Sequence, residues 1–328
     1  MDRRTFIGAA AANLVAVPLA AMAQQTEKVR RIGVLMLDDP PNSNPDHLLW
    51  DPAPLRDLGW IEGKNLVIER RYAGGKAELL QPFAAELVRL KVEIIVTGGT
   101  DAAVAGKEAT THIPIVMYSA GDPVGASLVA SLSRPGGNIT GFSILTTELN
   151  VKRLEVLHEL LPAAQRVGEL VNPTNPISRV ARKEYEEAYR SLGMQPLFIE
   201  VAVASELGNA FAELGRRRAQ ALVVPGDTLF ISNSVWIMRA AVGHALPTMV
   251  GSRDMVEDGG LVSYTFSGAE RSRRFAYFID KILRGAKPAD LPIEQPTKFE
   301  LAINLKTAKL LGLTVPQSLL LRADEVIQ

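Results

Sequence analysis

No cysteine occurs anywhere in the 328 residues. That absence excludes disulfides, thiol nucleophiles, cysteine-based zinc sites and a lipid-modified cysteine behind a leader. Net charge is absent too: 36 Lys and Arg stand against 36 Asp and Glu. No global basic field exists to hold nucleic acid or anionic lipid, so a small-molecule partner fits better. The four histidines, His47, His112, His158 and His244, lie far apart and none has metal-ligand spacing. His158-Glu159 lacks the second histidine that a zinc-protease helix needs four residues after the first. Surface or capping roles are expected of them, and no metal.

The usual signatures of catalysis and nucleotide binding are missing as well. No G-x-S-x-G elbow is present, so an α/β-hydrolase would have to work without its defining turn. Leu35-Met36-Leu37-Asp38-Asp39-Pro40 stands where G-x-G-x-x-G would follow the first strand, and no G-x-x-x-x-G-K-[ST] exists. No cofactor is expected. Short-period repeats and low-complexity tracts are also lacking.

What is present begins with a leader. Arg3 and Arg4 form a basic start, Ile7 to Ala20 is an apolar run, and Ala21-Met22-Ala23 has the small-x-small pattern of a cleavage site. Residues 1–23 are therefore expected to be a signal peptide. The run is shorter than the roughly 20 apolar residues of a membrane anchor and contains Asn13 and Pro18. Asp2 to Ile7 resembles a twin-arginine signal, but Asp2 and Gly8 depart from its first and last positions, so the export route stays open between that system and general secretion. The expected location is the periplasm.

The whole chain is 47% hydrophobic and 22% charged, ordinary for a globular protein, and the part after the leader is long enough for two core-bearing units. Short apolar runs at 31–37, 66–71, 93–97, 115–118 and 139–143 alternate with helical patterns at 78–90 and 101–109, the signature of βαβ units. A second series follows, with helices at 149–160, 177–192 and 206–217 and strands at 166–171, 197–201 and 221–224. Strands at 248–251, 261–265 and 298–303 and helices at 268–284 and 306–311 complete the chain. The expected fold is α/β, two doubly wound parallel-sheet lobes with a hinge and an interlobe cleft. Residues 28–143 with about 264–288 should form lobe I, and 144–263 with about 289–328 lobe II.

Polar loops after strand ends are where open α/β sheets bind ligands. Thr97, Gly98, Gly99 and Thr100 lead from strand to helix; glycines admit close backbone approach, and free N–H groups at a helix start suit a carboxylate. A tight turn with Thr100 or Asp101 as N-cap is the competing reading. Tyr118, Ser119 and Asp122 follow the next strand, where Asp122 either contacts ligand or caps. In the second series Asn172 and Asn175 follow a strand, with Asn175 suited to capping, and Asp227 holds the equivalent place after 221–224.

These stretches resemble the ABC transporter substrate-binding protein family that includes tryptophan- and tyrosine-binding members, with the type I periplasmic-binding-protein fold. The likeness rests on Leu58-Gly59-Trp60-Ile61-Glu62-Gly63-Lys64-Asn65-Leu66, Gly121-Asp122-Pro123-Val124-Gly125, Arg134-Pro135-Gly136-Gly137-Asn138-Ile139-Thr140-Gly141 and residues 295–313. It implies a pair of hinged lobes, monomeric, closing on a small ligand for an ABC permease complex. The implied contacts are the loops at 97–100, 119–122, 172–175 and Asp227, to which Tyr264 is added. Amino-acid-binding members tend to carry an acid shortly after the strand matching 261–265, whereas here none follows until Glu270. Pro52 and Pro54 interrupt the family's first helix. The alternatives are an exported enzyme using Asp122 and Asp227 as a carboxylate pair, and a ligand sensor with the same cleft.

Overall fold

The computed structural model describes residues 29–37, 53–144, 146–175, 178 and 182–328. The expected signal peptide lies outside them.

The first lobe is a five-stranded sheet in the order β2-β1-β3-β4-β5. It comprises β1 (Arg30–Met36), β2 (Leu66–Tyr72), β3 (Ile94–Gly98), β4 (Ile115–Ala120) and β5 (Ile139–Ser143), with every pairing parallel. Strands β3 and β5 are buried along their whole length, as continuous apolar runs in a parallel sheet covered on both faces should be. On one face lie α2 (Leu80–Arg89), which buries Leu80, Ala84 and Leu87 at helical spacing, and α3 (Thr100–Ala109). A short α1 (Ala53–Asp57) starts at the proline-interrupted segment.

The other face is covered from far along the chain. Phe275, Phe278 and Ile279 pack on Ile32, Val96 and Val116 in one core. They belong to α10 (Gly268–Leu283). Asp280 on this helix accepts from Trp60 Nε1 at 2.9 Å and from Arg284 Nε at 2.7 Å, fixing it to the segment after α1.

The second lobe contains α4 (Thr146–Leu160), β6 (Arg166–Val171), α5 (Arg182–Ser191), β7 (Gln195–Glu200), α6 (Leu207–Arg216) and β8 (Ala221–Val224). Then come α7 (Thr228–Ser232), α8 (Ser234–Gly243), β9 (Thr248–Val250), α9 (Asp254–Glu257) and β10 (Val262–Phe266). After α10 the chain adds β11 (Phe299–Asn304), α11 (Leu305–Leu310), α12 (Gln317–Arg322) and β12 (Glu325–Ile327). The sheet order is β12-β11-β10-β9-β8-β6-β7.

One edge of this sheet departs from all-parallel: β11 runs antiparallel to β10. The reason is topological. Strand β10 ends where the chain leaves for the first lobe, and the chain returns at that same end, so the next strand must run away from it. Among the described residues three segments cross between lobes, after β5, after β10 and before β11. Ser143 N donates to Glu294 O at 2.9 Å and Ser267 N to Lys298 O at 3.2 Å, so the crossings lie side by side.

The lobe boundaries expected at about 264 and 289 move. Tyr264 to Phe266 pair with β11 in the second sheet, while Thr140 Oγ1 donates to Leu291 O and Ile293 packs in the first lobe's core. Residues 288–294 therefore stay with the first lobe.

Candidate functional site

The carboxyl ends of the strands from both sheets face one cleft of about 1580 Å³, counting the part open to solvent. From the first lobe it is walled by Gly99, Thr100, Ser119, Ala120 and Gly121. The second lobe contributes the ends of β6 and β8, the Gly251 to Asp254 loop, and Thr265 and Phe266. The lobes come close at one point, since a Cβ built on Gly99 would lie 3.1 Å from Thr228 Oγ1.

Six of the eleven expected contacts line this cleft: Gly99, Thr100, Ser119, Asn172, Asn175 and Asp227. The second-lobe trio forms a network. Asp227 caps α7 by accepting from Leu229 N at 2.9 Å, and its two oxygens also accept from Asn172 Nδ2 at 3.1 Å and Asn175 Nδ2 at 2.8 Å. Asn172 in turn accepts from Thr174 N and Oγ1, which orients its amide. A carboxylate has about four acceptor positions, so three internal donors leave room for one from a ligand. Burial raises the Asp227 carboxyl above its ordinary value, against the pull of those donors.

The other five have different duties. Thr97 is fully buried inside β3, and Gly98 ends that strand where a Cβ would meet Met36 Sδ at 2.2 Å. Gly98 thus faces the flexible end of Met36 and does not wall the cleft. Tyr118 is buried, edge-on to Phe275 at 5.0 Å between ring centres. Asp122 is exposed and caps its turn through Val124 N and Gly125 N. Tyr264 stacks on Phe299 at 5.7 Å, because strand alternation turns Thr265 toward the cleft instead. Asp122 does not line the cleft that Asp227 lines, so the cleft wall holds only one member of the carboxylate pair the enzyme reading requires.

A carboxylate at the start of α3 also fits poorly. Gly99 N donates to Ser119 O and Thr100 Oγ1 accepts from Gly121 N. Asp101 already stands in the first turn, its carboxyl pushed up to about 7 by burial and then by the nearby Asp227 charge.

Several cleft residues were not singled out in the sequence. Arg153 on α4 is buried and donates to Tyr264 O at 2.9 Å, Asn150 Oδ1 at 2.8 Å and Gly251 O at 3.0 Å, which ties together the ends of β9 and β10. Burial lowers its guanidinium to about 10. Glu169 in β6 accepts from Tyr189 Oη at 2.6 Å and is pushed up to about 7 by burial, against the pull of Tyr189 and Arg153. A signal existed for both: Arg153 sits in the apolar stripe of Leu149, Leu154 and Leu157, and Glu169 interrupts an apolar strand. Phe198, Phe230 and Ile231 add apolar wall. Among the described residues no cluster of His, Asp and Glu could hold a metal, and no helix is long and apolar enough to cross a membrane.

A family model described as ABC transporter substrate binding protein matches residues 53–327. The "Tyrosine-binding protein" of Clostridioides difficile (strain R20291) is 26% identical over 289 residues, covering 88% of this chain and 82% of that protein. A conserved domain protein from Vibrio cholerae superposes with a TM-score of 0.84 at 25% identity, covering 91% of this chain and all of that one. An ABC domain from Streptococcus pneumonia in complex with L-Trp gives 0.81 at 26% identity, covering 90% of this chain and all of that one. The match spans both lobes and all three crossings, and the chain belongs to the ABC transporter substrate-binding protein family.

Proposed function

We propose that this protein is the exported, monomeric solute-capturing component of an ABC importer, holding a small polar solute between its lobes and presenting it to a permease complex without chemical turnover. The observation that carries the reading is the cleft itself, built from strand ends of two separate sheets that adjacent chain crossings join. A ligand touching both walls binds the closed form better than the open one, and that differential affinity drives closure. The cleft's mixture suits an amphiphilic solute: Phe198 and Ile231 offer apolar surface, while Asp227 retains an acceptor position for an ammonium or hydroxyl. The relatives' named ligands, tyrosine and L-tryptophan, make aromatic amino acids the first compounds to test.

Small-angle scattering with and without a bound solute tests the closure. A fall in radius of gyration on binding supports capture between lobes; binding with unchanged shape, or conversion of the solute, defeats it. N-terminal sequencing of exported protein should find a start near Gln24.

A further inference from the structure

Four arginines reach the cleft: Arg153, Arg182, Arg253 and Arg271. Three already have partners within the protein. Arg153 is held by three acceptors, Arg253 forks onto Glu325 at 2.6 and 2.7 Å, and Arg182 pairs with Glu186 and Glu200. Nearby Arg274 is likewise forked onto Glu294. Arg271 differs. It forms no ion pair among the described residues, and its Nε is buried without a hydrogen-bond partner.

Its position is nevertheless fixed. Arg271 lies in the first turn of α10, just past a crossing between lobes, with its guanidinium carbon 4.2 Å from the Tyr118 ring centre and 4.5 Å from that of Phe266. Tyr118 belongs to β4 of the first lobe and Phe266 ends β10 of the second. Ring faces attract a cation without consuming its N–H donors, so the charge is held in place and its hydrogen-bonding capacity remains open. A partly desolvated guanidinium with free donors is matched by a planar anion, which it grips with two parallel bonds. Across β9 from the strand end that leads to Arg271, the cleft is lined by the Asp227 carboxyl.

We propose that Arg271 is the seat of the ligand's acid group and that the captured solute is a small carboxylate, its donor end directed toward Asp227. This rests on the solute-capture reading and replaces the start of α3 as the carboxylate site. Tyr118 and Phe266 act as positioning residues that aim the guanidinium, and because they come from different lobes the seat is complete only where the lobes meet.

The test titrates the full chain, Arg271→Gln and Arg271→Lys by calorimetry against small carboxylates, including L-tyrosine and L-tryptophan, each beside its carboxamide, and against sugars and amines. The native protein should bind a carboxylate and discriminate against its amide. Arg271→Gln should weaken the carboxylate by about 10- to 100-fold and leave the amide nearly unchanged. Arg271→Lys, which keeps the charge and loses the fork, should fall between them. Melting temperatures within a few degrees of native establish that the variants fold. Undiminished carboxylate binding by Arg271→Gln, or capture of sugars or amines in preference to every acid, overturns the proposal and leaves solute capture standing. Failure of all solute classes counts against capture itself and takes the proposal with it.

Discussion

Asn175 donates from Nδ2 to Asp227 Oδ2 at 2.8 Å and so joins the loop after β6 to the loop after β8. With Asn172 on the other oxygen and Leu229 N completing the cap, one carboxylate organises the second lobe's cleft wall. Asp227→Ala removes the cap and strands two amides, which should cost about 2 kcal/mol. At roughly 2–4 °C per kcal/mol for a protein of this size class, the melting temperature should fall by about 4–8 °C without ligand. Scanning calorimetry of the unliganded variant decides it; an unchanged midpoint would show that the network carries no stability.

Gly99 has φ 85° and ψ 167°, a region essentially reserved for glycine. Gly99→Ala should therefore lose about 1–3 kcal/mol of stability. The added methyl also meets Thr228 across the cleft, so solute affinity should drop beyond what the stability change explains. Pairing it with Thr228→Ala checks this: the double variant should recover affinity but not stability, and recovery of neither would place the obstruction elsewhere.

Glu169 gives the fold a pH dependence of predictable sign. Its carboxyl rises from an ordinary 4.5 to about 7 in the folded protein, so the folded state keeps a proton that the unfolded chain releases. Stability is fully present below about 4.5 and is lost progressively as pH rises to about 7. Glu169→Gln keeps an acceptor for Tyr189 and removes the titration. Its melting temperature relative to native should rise between pH 5 and pH 8, by the equivalent of about 1–3 kcal/mol. Asp101 shifts in the same direction, so some slope should persist in the variant. Parallel pH profiles for the two proteins would refute the assignment.

Much of the fold was legible because parallel strands covered on both faces are plain apolar runs. All five strands of the first sheet were expected within two residues of where they lie. Helices α8 and α12 and strand β12 were missed; Ser234 to Gly243 is apolar nearly all round and lacks a clear stripe. The crossings were harder. The boundary expected at about 289 falls inside a segment docked on the first lobe, through Leu291 and Ile293, and the chain returns only beyond it. At the site, position after a strand end identified Asp227, Asn172 and Ser119, but it could not separate Gly98, which faces Met36, from Gly99, which faces the cleft. Arg271 carried no signal, because its role depends on two rings contributed by separate lobes.

The first lobe's sheet is finished at Ser143, but the helix that covers its second face begins at Gly268. A growing chain must therefore make most of the other lobe while Ile32, Val96 and Val116 still lack their cover. The second sheet waits as well, since β11 and β12 come after that helix. Contacts so distant along the chain close slowly. Each lobe's core is thus closed by chain that follows part of the other lobe, so the two halves depend on one another for completion.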